Sequence, residues 1–363
     1  MKIKFAIIGC GRISKRHLEL LSQGQIQGAE LVAVCDILLE PAQAAGEKFN
    51  VPFFTSFEAL LKGADFNVAT ILTPSGMHPE HAIAFLNAGK HVVVEKPMAL
   101  KMADADAMVA AAQKNGRELF VVKQNRYNVP VTKLSEALKS KRFGRLLMGT
   151  VRVRWCRDQK YYDQDSWRGT WAMDGGVFTN QASHHVDLLN WVMGGDIESV
   201  YAQSDTFLVK TETEDTGVAI IRYKNGSIGL IEATTAVRPK DLEGSVSVMG
   251  SEGSVEIAGF AVNEIKHWNF KTPIPADAEI REKFSVNPPS VYGYGHQAYL
   301  QDVVRCLNGE IKNPVDGVEG KKSLELITAI YESIETKMPV HFPFTPKKSK
   351  LGHQLGHQLG QSR

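Results

Sequence analysis

Three short groups of residues in this chain have the types and spacing that chemistry requires. In the first, the valines of HVVVEKP run directly into Glu95, Lys96 and Pro97. The carboxyl ends of buried parallel strands are where such sheets present ligand-binding groups, and a proline that follows at once fixes the chain direction. The apolar run disfavours the alternative, a surface Lys–Glu pair. We predict that the strand delivers the Lys96 ammonium to a site, with Lys96–Pro97 a candidate cis bond.

The second group is IIGCGRIS, in which Gly9, Gly11 and Ser14 follow the pattern G-x-G-x-x-G except at its last position. It lies between a predicted strand and a predicted helix, where the glycines permit a tight turn and close approach to a pyrophosphate. The helix amides then receive phosphate oxygens. Asp36 ends the next predicted strand and can accept a hydrogen bond from a ribose 2′-hydroxyl. A purely structural glycine turn would leave Asp36 unexplained.

The residues after Asp36 decide which dinucleotide is predicted. Ile37 and Leu38 offer no cation to a 2′-phosphate, so the sequence predicts NAD rather than NADP. The residues of this region predicted to contact the cofactor are Gly9, Cys10, Gly11, Arg12, Ile13 and Asp36.

The third group is TNQASHHVDLL, where Asn180, His184 and Asp187 are spaced by four and three residues. On a helix these three share one face, and His185 points about 100° away. An imidazole held by a carboxylate or amide can act as a general base; the alternative is a histidine with a purely structural role. Neighbouring histidines on a helix diverge and no third ligand is near, so no metal site is predicted.

A basic and aromatic segment, residues 152–171, indicates what the site binds. In a chain with a formal net charge of only +2, arginine forks suit carboxylates or phosphates and aromatic rings suit the faces of sugars or bases. A solvated arginine ladder on a sheet is the alternative for each arginine. The residues that form this segment are Arg152, Arg154, Trp155, Arg157, Lys160, Tyr161, Tyr162, Trp167, Arg168 and Trp171. Arg238 and the YGYGHQ stretch with His296 could close the pocket.

The elements that position these groups follow from the apolar pattern. Continuous apolar strands alternate with helical patterns over residues 1–125, which predicts an α/β Rossmann domain with a parallel sheet. Residues 126–345 contain alternating strands joined by short turns such as KNGS, so we predict an α+β domain with a mostly antiparallel open sheet and helices on one face. Residues 346–363 repeat LGHQ and are interpreted as a flexible or partner-bound tail.

Composition excludes several classes of protein. Of the 363 residues, 43% are hydrophobic and 23% charged, typical of a globular protein. The small net charge argues against a nucleic-acid partner, and no apolar run approaches the roughly 20 residues that a bilayer requires. The four scattered cysteines fit reduced thiols, and the amino-terminal stretch does not resemble a signal peptide. The chain is therefore predicted to be cytoplasmic, with no membrane partner.

The stretches GCGRISKRH, TPSGMHPEHAIAFLNAGKHVVVEKPMAL and GGVFTNQASHHVDLLNWVMGG resemble the glucose-fructose oxidoreductase / inositol dehydrogenase / rhizopine catabolism family. The resemblance covers residues 1 to about 340, and its most specific motif is Glu-Lys-Pro. It implies that Lys96 contacts the nicotinamide and the substrate hydroxyl and, with His184, is catalytic. It also implies cofactor contacts from the loop after the third predicted strand and from the ends of later strands: Thr73, Pro74, Ser75, His78, Glu95, Lys96 and Gln124.

Within this family, the stretches VVKQNRYNVPV, YYDQDSWRGTWAMDGG, NQASHHVDLLNW, RPKDLEGSVSVMGSEGSVEIAGFAVN and YGHQAYLQDVV look most like the enzymes that oxidise the C3 hydroxyl of UDP-2-acetamido-2-deoxy-glucuronate. The resemblance implies a product that an aminotransferase converts for lipopolysaccharide O-antigen. Many relatives carry Asp where this chain has Asn180, so we assign Asn180 to hydrogen bonding rather than to a charge relay. The resemblance also implies a homo-oligomer, a dimer or homotetramer. The residues predicted to bind the sugar substrate are Arg154, Tyr161, Trp167, Arg168, Asn180, His184, Arg238 and His296.

Two other functions are compatible with the family. One is oxidation of a free polyol or sugar, which would leave the basic segment without a use. The other is a catalytically silent cofactor-binding regulator, which would leave Lys96 and His184 without one. Oxidation of a UDP-sugar acid would use both the basic segment and the pair Lys96 and His184, so it is the preferred prediction.

Overall fold

The computed structural model describes residues 2–285 and 294–354, which form two units. The first comprises Met1–Lys123 and His296–Lys321, and the second comprises Gln124–Gly295 and the chain from Lys322 onward. The first unit therefore consists of two segments separated by most of the second. None of the helices in the described residues is both long enough and apolar enough to cross a membrane.

The strands of the first unit form a six-stranded sheet of order β3-β2-β1-β4-β5-β6 in the described residues. All of its neighbouring pairs are parallel. The inner strands are buried along almost their whole length, as expected when helices cover both faces. The strands are β1 (Ile3–Ile8), β2 (Ala29–Cys35), β3 (Phe53–Phe54), β4 (Val68–Ile71), β5 (His91–Val94) and β6 (Leu119–Val121).

This strand order is that of a dinucleotide-binding Rossmann sheet, and the order in which successive strands are added to the sheet reverses between β1 and β4. The sequence-predicted α/β domain is thereby confirmed, although the analysis of the sequence missed β3 and the helix after it. The helices are α1 (Ser14–Ser22), α2 (Leu39–Phe49), α3 (Phe57–Gly63), α4 (His78–Asn87), α5 (Met102–Asn115) and α10 (Gly295–Leu307).

Helix α10 falls within residues 126–345, which the sequence predicted to form the second domain, but the structure groups it with the first unit from His296 onward. Its polar side chains bond to the loop between α1 and β2: Gln297 donates to the Gln25 carbonyl, and Gln301 exchanges hydrogen bonds with Gln27. On its other side Tyr299 and Val303 are fully buried. A helical pattern in the sequence does not identify the unit against which the helix packs.

The second unit has an eight-stranded sheet in the described residues, of order β13-β12-β11-β7-β10-β9-β8-β14. Every pair is antiparallel except β7 with β10, which confirms the mostly antiparallel prediction. The strands are β7 (Leu146–Arg154), β8 (Ile197–Asp205), β9 (Thr216–Tyr223), β10 (Ile228–Thr234), β11 (Glu243–Gly250), β12 (Gly253–Ala258), β13 (Glu264–Phe270) and β14 (Val340–His341). The helices are α6 (Val129–Lys139), α7 (Gln159–Tyr162), α8 (Ser183–Val192), α9 (Ile280–Phe284) and most of α11 (Gly317–Thr336).

The start of the predicted tail packs against the second unit, contrary to expectation. One oxygen of Glu332, in α11, accepts the backbone N–H groups of three successive residues, Lys347, Lys348 and Ser349, at 2.7–3.0 Å. Two residues further on, Leu351 is only 2% exposed. A buried carboxylate that collects three amides and a buried leucine explain why this segment is ordered. The repeats from residue 355 onward lie outside the described residues.

Candidate active site

The turn after β1 has the shape that a pyrophosphate requires. Gly9 has φ +95°, and a Cβ there would lie 2.8 Å from the Leu72 carbonyl carbon and 2.9 Å from the Thr73 nitrogen. Only glycine fits a position that is both left-handed and this crowded. A Cβ on Gly11 would meet nothing within 4 Å, so this side of the turn is open. The two glycines thus have the separate roles that the sequence pattern assigns to them.

The Asp36 carboxylate is fixed at the end of β2. Its Oδ2 accepts the Cys10 backbone N–H at 2.7 Å, and its Oδ1 accepts the Leu38 N–H at 2.9 Å. Burial is the main cause that raises the pKa of the Cys10 thiol to about 12, with the Asp36 charge adding to it, so this cysteine stays protonated. Arg12 is exposed and Ile13 half-buried beside the same turn. The open glycine turn and the fixed carboxylate fit an NAD pyrophosphate and ribose.

We expect NAD to bind at least about tenfold more tightly than NADP, a factor equal to about 1.4 kcal/mol, because the Asp36 carboxylate would face the 2′-phosphate. Asp36→Asn, which retains one acceptor for the loop, should relax this preference. Titration calorimetry with both dinucleotides measures it, and Glu40→Gln, on the exposed first turn of α2, is the control that should change nothing. Equal affinities in the unmodified protein would contradict the prediction.

The predicted cofactor loop follows β4 and leads into α4. Thr73, Pro74 and Ser75 are half-buried, and Thr73 Oγ1 lies 2.9 Å from His81 Nδ1. The His78 ring is buried, with Nδ1 2.8 Å from the Pro97 carbonyl oxygen and Nε2 2.8 Å from that of Thr73. Burial lowers the pKa of His78 below its usual value. The His78 ring therefore links this loop to the turn after β5.

The Glu-Lys-Pro turn follows β5, at the carboxyl edge of the same sheet. Glu95 is buried, Lys96 is half-buried, and the Lys96–Pro97 peptide bond is cis. Glu95 Oε1 lies 3.0 Å from His17 Nε2, while Oε2 accepts the backbone N–H of Lys96 at 3.1 Å. Lys96 is thus carried by a turn whose preceding carboxylate is anchored inside the first unit.

In the second unit, the predicted base lies in α8 and contacts an amide. His184 is half-buried, and its Nε2 lies 2.8 Å from Gln124 Nε2. With the Gln124 amide oriented as the donor, His184 Nε2 is an acceptor and so carries the lone pair that a base requires. Gln124 was predicted as a cofactor contact; the structure brings it to the candidate base. The amide expected to orient His184 is therefore Gln124.

Asn180 and Asp187 are placed differently from the single helix face predicted for them. Helix α8 begins at Ser183, so Asn180 lies in the turn before it. Its amide donates to the buried carboxylate of Asp174, whose other oxygen accepts the Gly169 N–H at 2.8 Å. The Asp187 carboxylate forms a buried bidentate pair with Arg126, with both distances 2.8 Å. The four-residue spacing of Asn180 and His184 suggested one helix face, but spacing alone cannot show that both residues lie in the helix.

Arg154 lies in a ladder of opposite charges across the sheet. β7 has β10 on one side and β11 on the other, and Arg154 takes a carboxylate from each. Its Nε and Nη2 donate to Glu232 at 2.6 and 2.8 Å, and its Nη1 donates to Glu243 at 3.1 Å. Arg152 joins the same two glutamates. Two cations and two carboxylates cancel, so the ladder offers little net charge to an anion.

Arg168 is an arginine of the basic segment that lies between two aromatic rings. Its guanidinium carbon is 4.8 Å from the Tyr161 ring centroid and 4.6 Å from that of Trp167. Its Nε donates to Asp165 at 2.8 Å, and its Nη1 donates to the Tyr161 hydroxyl at 3.0 Å. Gln181, which the sequence analysis did not single out, donates to the same hydroxyl at 2.9 Å. A shallow cavity of about 360 Å³ opens beside Arg168 and is lined by Thr170 and Lys210 among others.

The last two predicted substrate contacts, Arg238 and His296, are close to other groups of the protein. Arg238 is exposed, and its guanidinium donates to the backbone carbonyls of Arg157, Thr235 and Val237. His296 is fully buried beside Glu95 in the first unit. Residues 292 and 293 of the YGYGHQ stretch lie outside the described residues. Asp174 and Gln181 were missed because nothing in their spacing distinguishes them from ordinary loop polar residues.

The glycine turn after β1, the Asp36 carboxylate after β2 and the Lys96 ammonium after β5 all lie at the carboxyl ends of strands of one parallel sheet. They suit a reaction in which a nicotinamide dinucleotide is held beside an ammonium and exchanges a hydride. The class of protein that this fold and site define is the NAD-dependent oxidoreductases.

The chain belongs to the Gfo/Idh/MocA oxidoreductase family. The family's NAD-binding Rossmann-fold model matches residues 3–123, and its C-terminal alpha/beta domain model matches residues 135–342. It is an NAD-dependent oxidoreductase of the type that acts on sugars.

Two solved structures and one curated relative cover nearly the whole chain. The WlbA dehydrogenase from Chromobacterium violaceum, in complex with NADH and UDP-GlcNAcA, is 43% identical with a TM-score of 0.88, over 95% of this chain and 97% of that one. The WlbA dehydrogenase from Bordetella pertussis, in complex with the same two molecules, is also 43% identical with a TM-score of 0.88, over 95% and 98%. The myo-inositol 2-dehydrogenase of Thermotoga maritima is 27% identical over 93% of this chain and 98% of its own.

Proposed function

We propose that this protein oxidises the C3 hydroxyl of UDP-2-acetamido-2-deoxy-glucuronate to the 3-keto sugar with NAD. The observation that carries the proposal is the 43% identity, over 95% of the chain, to two dehydrogenases crystallised with NADH and UDP-GlcNAcA. The product is the kind of sugar that an aminotransferase converts for lipopolysaccharide O-antigen. We also propose a homo-oligomer, because the apolar side chains of Val218 and Ile220 on β9 are 46% and 54% exposed.

The charges of the basic segment support an anionic substrate at Arg168 rather than at Arg154. Arg154 is matched by Glu232 and Glu243 in the ladder. Arg168 has one carboxylate partner, Asp165, and in the described part of the chain no hydrogen bond uses its Nη2. A uronate carboxylate or a diphosphate oxygen could take that donor, because guanidinium groups bind both in forked geometry.

The proposed chemistry divides between two residues. The Lys96 ammonium polarises the hydroxyl oxygen, and His184 Nε2 accepts the hydroxyl proton once it gives up the hydrogen bond from Gln124. When bound, NAD would supply the acceptor for the hydride that leaves C3, the carbon that carries this hydroxyl group. Asn180, held by Asp174, is assigned to a hydrogen bond with the sugar rather than to a charge relay, because an amide cannot carry the negative charge.

The test is NADH formation from three substrates under identical conditions: UDP-GlcNAcA, the neutral UDP-GlcNAc, and myo-inositol. The proposal expects kcat/KM for UDP-GlcNAcA to exceed the other two by at least about tenfold, since charge-assisted pairs discriminate on that scale. The second candidate function, oxidation of a free polyol, is favoured by the inositol enzyme that matches 93% of the chain. Preferred turnover of myo-inositol would establish it in place of the first.

Arg168→Met is expected to raise KM for UDP-GlcNAcA by about tenfold or more, because it removes a charge-assisted pair inside a partly dehydrated site. If Arg168 binds the uronate carboxylate, the weak turnover of UDP-GlcNAc should barely change. Arg152→Met in the ladder is the matched control, since its cation is already neutralised. Equal losses on both UDP-sugars would assign Arg168 to the diphosphate or the fold, and no loss on either would leave the basic segment without a role in binding.

A further inference from the structure

A buried cluster in the first unit has no part in the chemistry described so far. His17 of α1 and His296 of α10 both direct Nε2 at one oxygen of Glu95: the distances to Oε1 are 3.0 and 3.5 Å. The two histidine side chains are 0% exposed and that of Glu95 is 7% exposed. The imidazole rings meet edge to face, with centroids 5.3 Å apart. Two helices far apart in sequence thus converge on a single carboxylate oxygen.

The second oxygen of the same carboxylate is joined to the candidate active site. Glu95 Oε2 accepts the backbone N–H of Lys96 at 3.1 Å, so both oxygens of Glu95 have partners. A carboxylate held at both oxygens cannot rotate without losing a buried hydrogen bond, which is costly. The position of the Lys96 backbone is therefore tied, through Glu95, to the two histidines.

The charge state of the cluster follows from its contacts. Burial alone would raise the pKa of Glu95, but the hydrogen bond from His17 and the close contact with His296 outweigh it and hold the pKa well below its usual value. Burial lowers the pKa of His296, against the opposing influence of Glu95. Glu95 is then an ionised carboxylate that accepts a hydrogen bond from His17 and lies beside a neutral His296. The other charged or titratable groups acting on this cluster are Lys96, the next residue, His78 at the start of α4, and Arg16 on α1.

We propose that His17 and His296 are positioning residues for Lys96, which hold Glu95 ionised and in one orientation so that the turn presents the ammonium in a fixed place. The inference rests on the role given to Lys96 in the proposed function. The three ligand atoms also lie within 4.8 Å of one another, a spacing that could hold a metal ion. The hydrogen bond from His17 and the close contact with His296 account for the cluster without an ion, so metal content is measured as an opposing outcome.

The experiment compares His17→Leu and His296→Leu with His17→Gln and His296→Gln. The leucine variants should lower kcat about tenfold, as for a mispositioned catalytic group, with the Kd of NADH within about threefold of the unmodified protein. The acidic limb of the kcat–pH profile should move to higher pH, because Glu95 takes up a proton more readily without its donors. The glutamine variants retain an N–H donor and should recover most of kcat and the original limb.

Four results would overturn the inference. Two concern kcat: leucine variants with an unchanged kcat and pH profile, or glutamine variants whose kcat is no higher than that of the leucine variants. The other two are a loss of NADH affinity as large as the loss of kcat, and stoichiometric bound metal whose removal abolishes turnover. Lys96→Ala is measured alongside. If it keeps normal turnover, the proposed function fails at Lys96; if it loses turnover while the histidine variants do not, only the present inference fails.

A second measurement does not depend on substrate or on the folding of any variant. In the unmodified protein, 15N spectra of the histidine side chains should show that His17 and His296 each carry a proton at Nε2, the nitrogen that faces Glu95. An unprotonated Nε2 on either ring would remove the hydrogen bond on which the cluster depends and would overturn the inference.

Discussion

Lys96→Ala and His184→Ala are each expected to lower turnover by roughly 10² or more while NAD still binds, the size of effect that follows loss of a positioned acid–base group. Lys96 follows β5 on a turn anchored by Glu95, and His184 Nε2 carries the hydrogen bond from Gln124. Neither residue is needed for the glycine turn or for Asp36. The loss should therefore appear in kcat, not in the Kd of NADH.

Steady-state kinetics with the best of the three substrates, together with NADH fluorescence titration, measures both quantities. Lys101→Ala is the matched control for the lysine, because Lys101 is 41% exposed and pairs with Asp104. The exposed His341 on β14 provides the control for the histidine. Near-normal turnover in His184→Ala would show that the base was assigned wrongly, and Tyr161 or a water molecule would replace it.

Glu214→Gln is expected to stabilise the second unit at high pH. Burial is the largest cause that raises the pKa of Glu214 to about 7, partly opposed by hydrogen bonds from the Tyr331 hydroxyl and the Phe178 N–H. No hydrogen-bond partner for its Oε2 lies in the described parts of the chain. A Cβ on Gly176 would overlap this carboxyl group, so only an isosteric replacement fits.

The direction of the pH effect follows from linkage. Because the folded pKa is above the value of 4.5 that is usual for a glutamate, the contribution of Glu214 to stability is complete below pH 4.5 and is lost as pH rises through about 7. The loss is roughly 3 kcal/mol, at about 1.4 kcal/mol per pKa unit. Urea unfolding at pH 5 and pH 8 should show Glu214→Gln gaining relative to the unmodified protein only at pH 8. Glu212→Gln, an exposed neighbour, should show no such pH-dependent gain, and a pH-independent difference for Glu214→Gln would contradict the assignment.

The parts of the fold that the sequence predicted well are those governed by short-range rules. Gly9 must be glycine because of its own φ and the Leu72 backbone beside it, and Asp36 stands at the end of a strand that its own apolar residues define. Turn, strand and cofactor preference can all be inferred from neighbouring residues in the chain. The Rossmann domain and its NAD site were therefore accessible from the sequence.

What the sequence did not reveal depends on which elements become neighbours. Arg154 looked like an anion contact until β7 was found between β10 and β11, which bring Glu232 and Glu243 to its sides. His296 looked like a pocket residue because its helix was assigned to the wrong unit. Asp174, the carboxylate that holds Asn180, had no recognisable spacing. Strand order and long-range helix packing set these contacts, and neither has a local signature.

The division of the first unit into two segments has a consequence for how the protein is made. During synthesis from the amino terminus, Met1–Lys123 leaves the ribosome long before His296–Lys321 exists. Until then the side of the nascent domain that α10 covers, next to the α1–β2 loop, stays exposed, and His17 and Glu95 lack His296. Domains fold as whole units, so the cofactor domain, although encoded first, is completed only after nearly the entire chain has been translated.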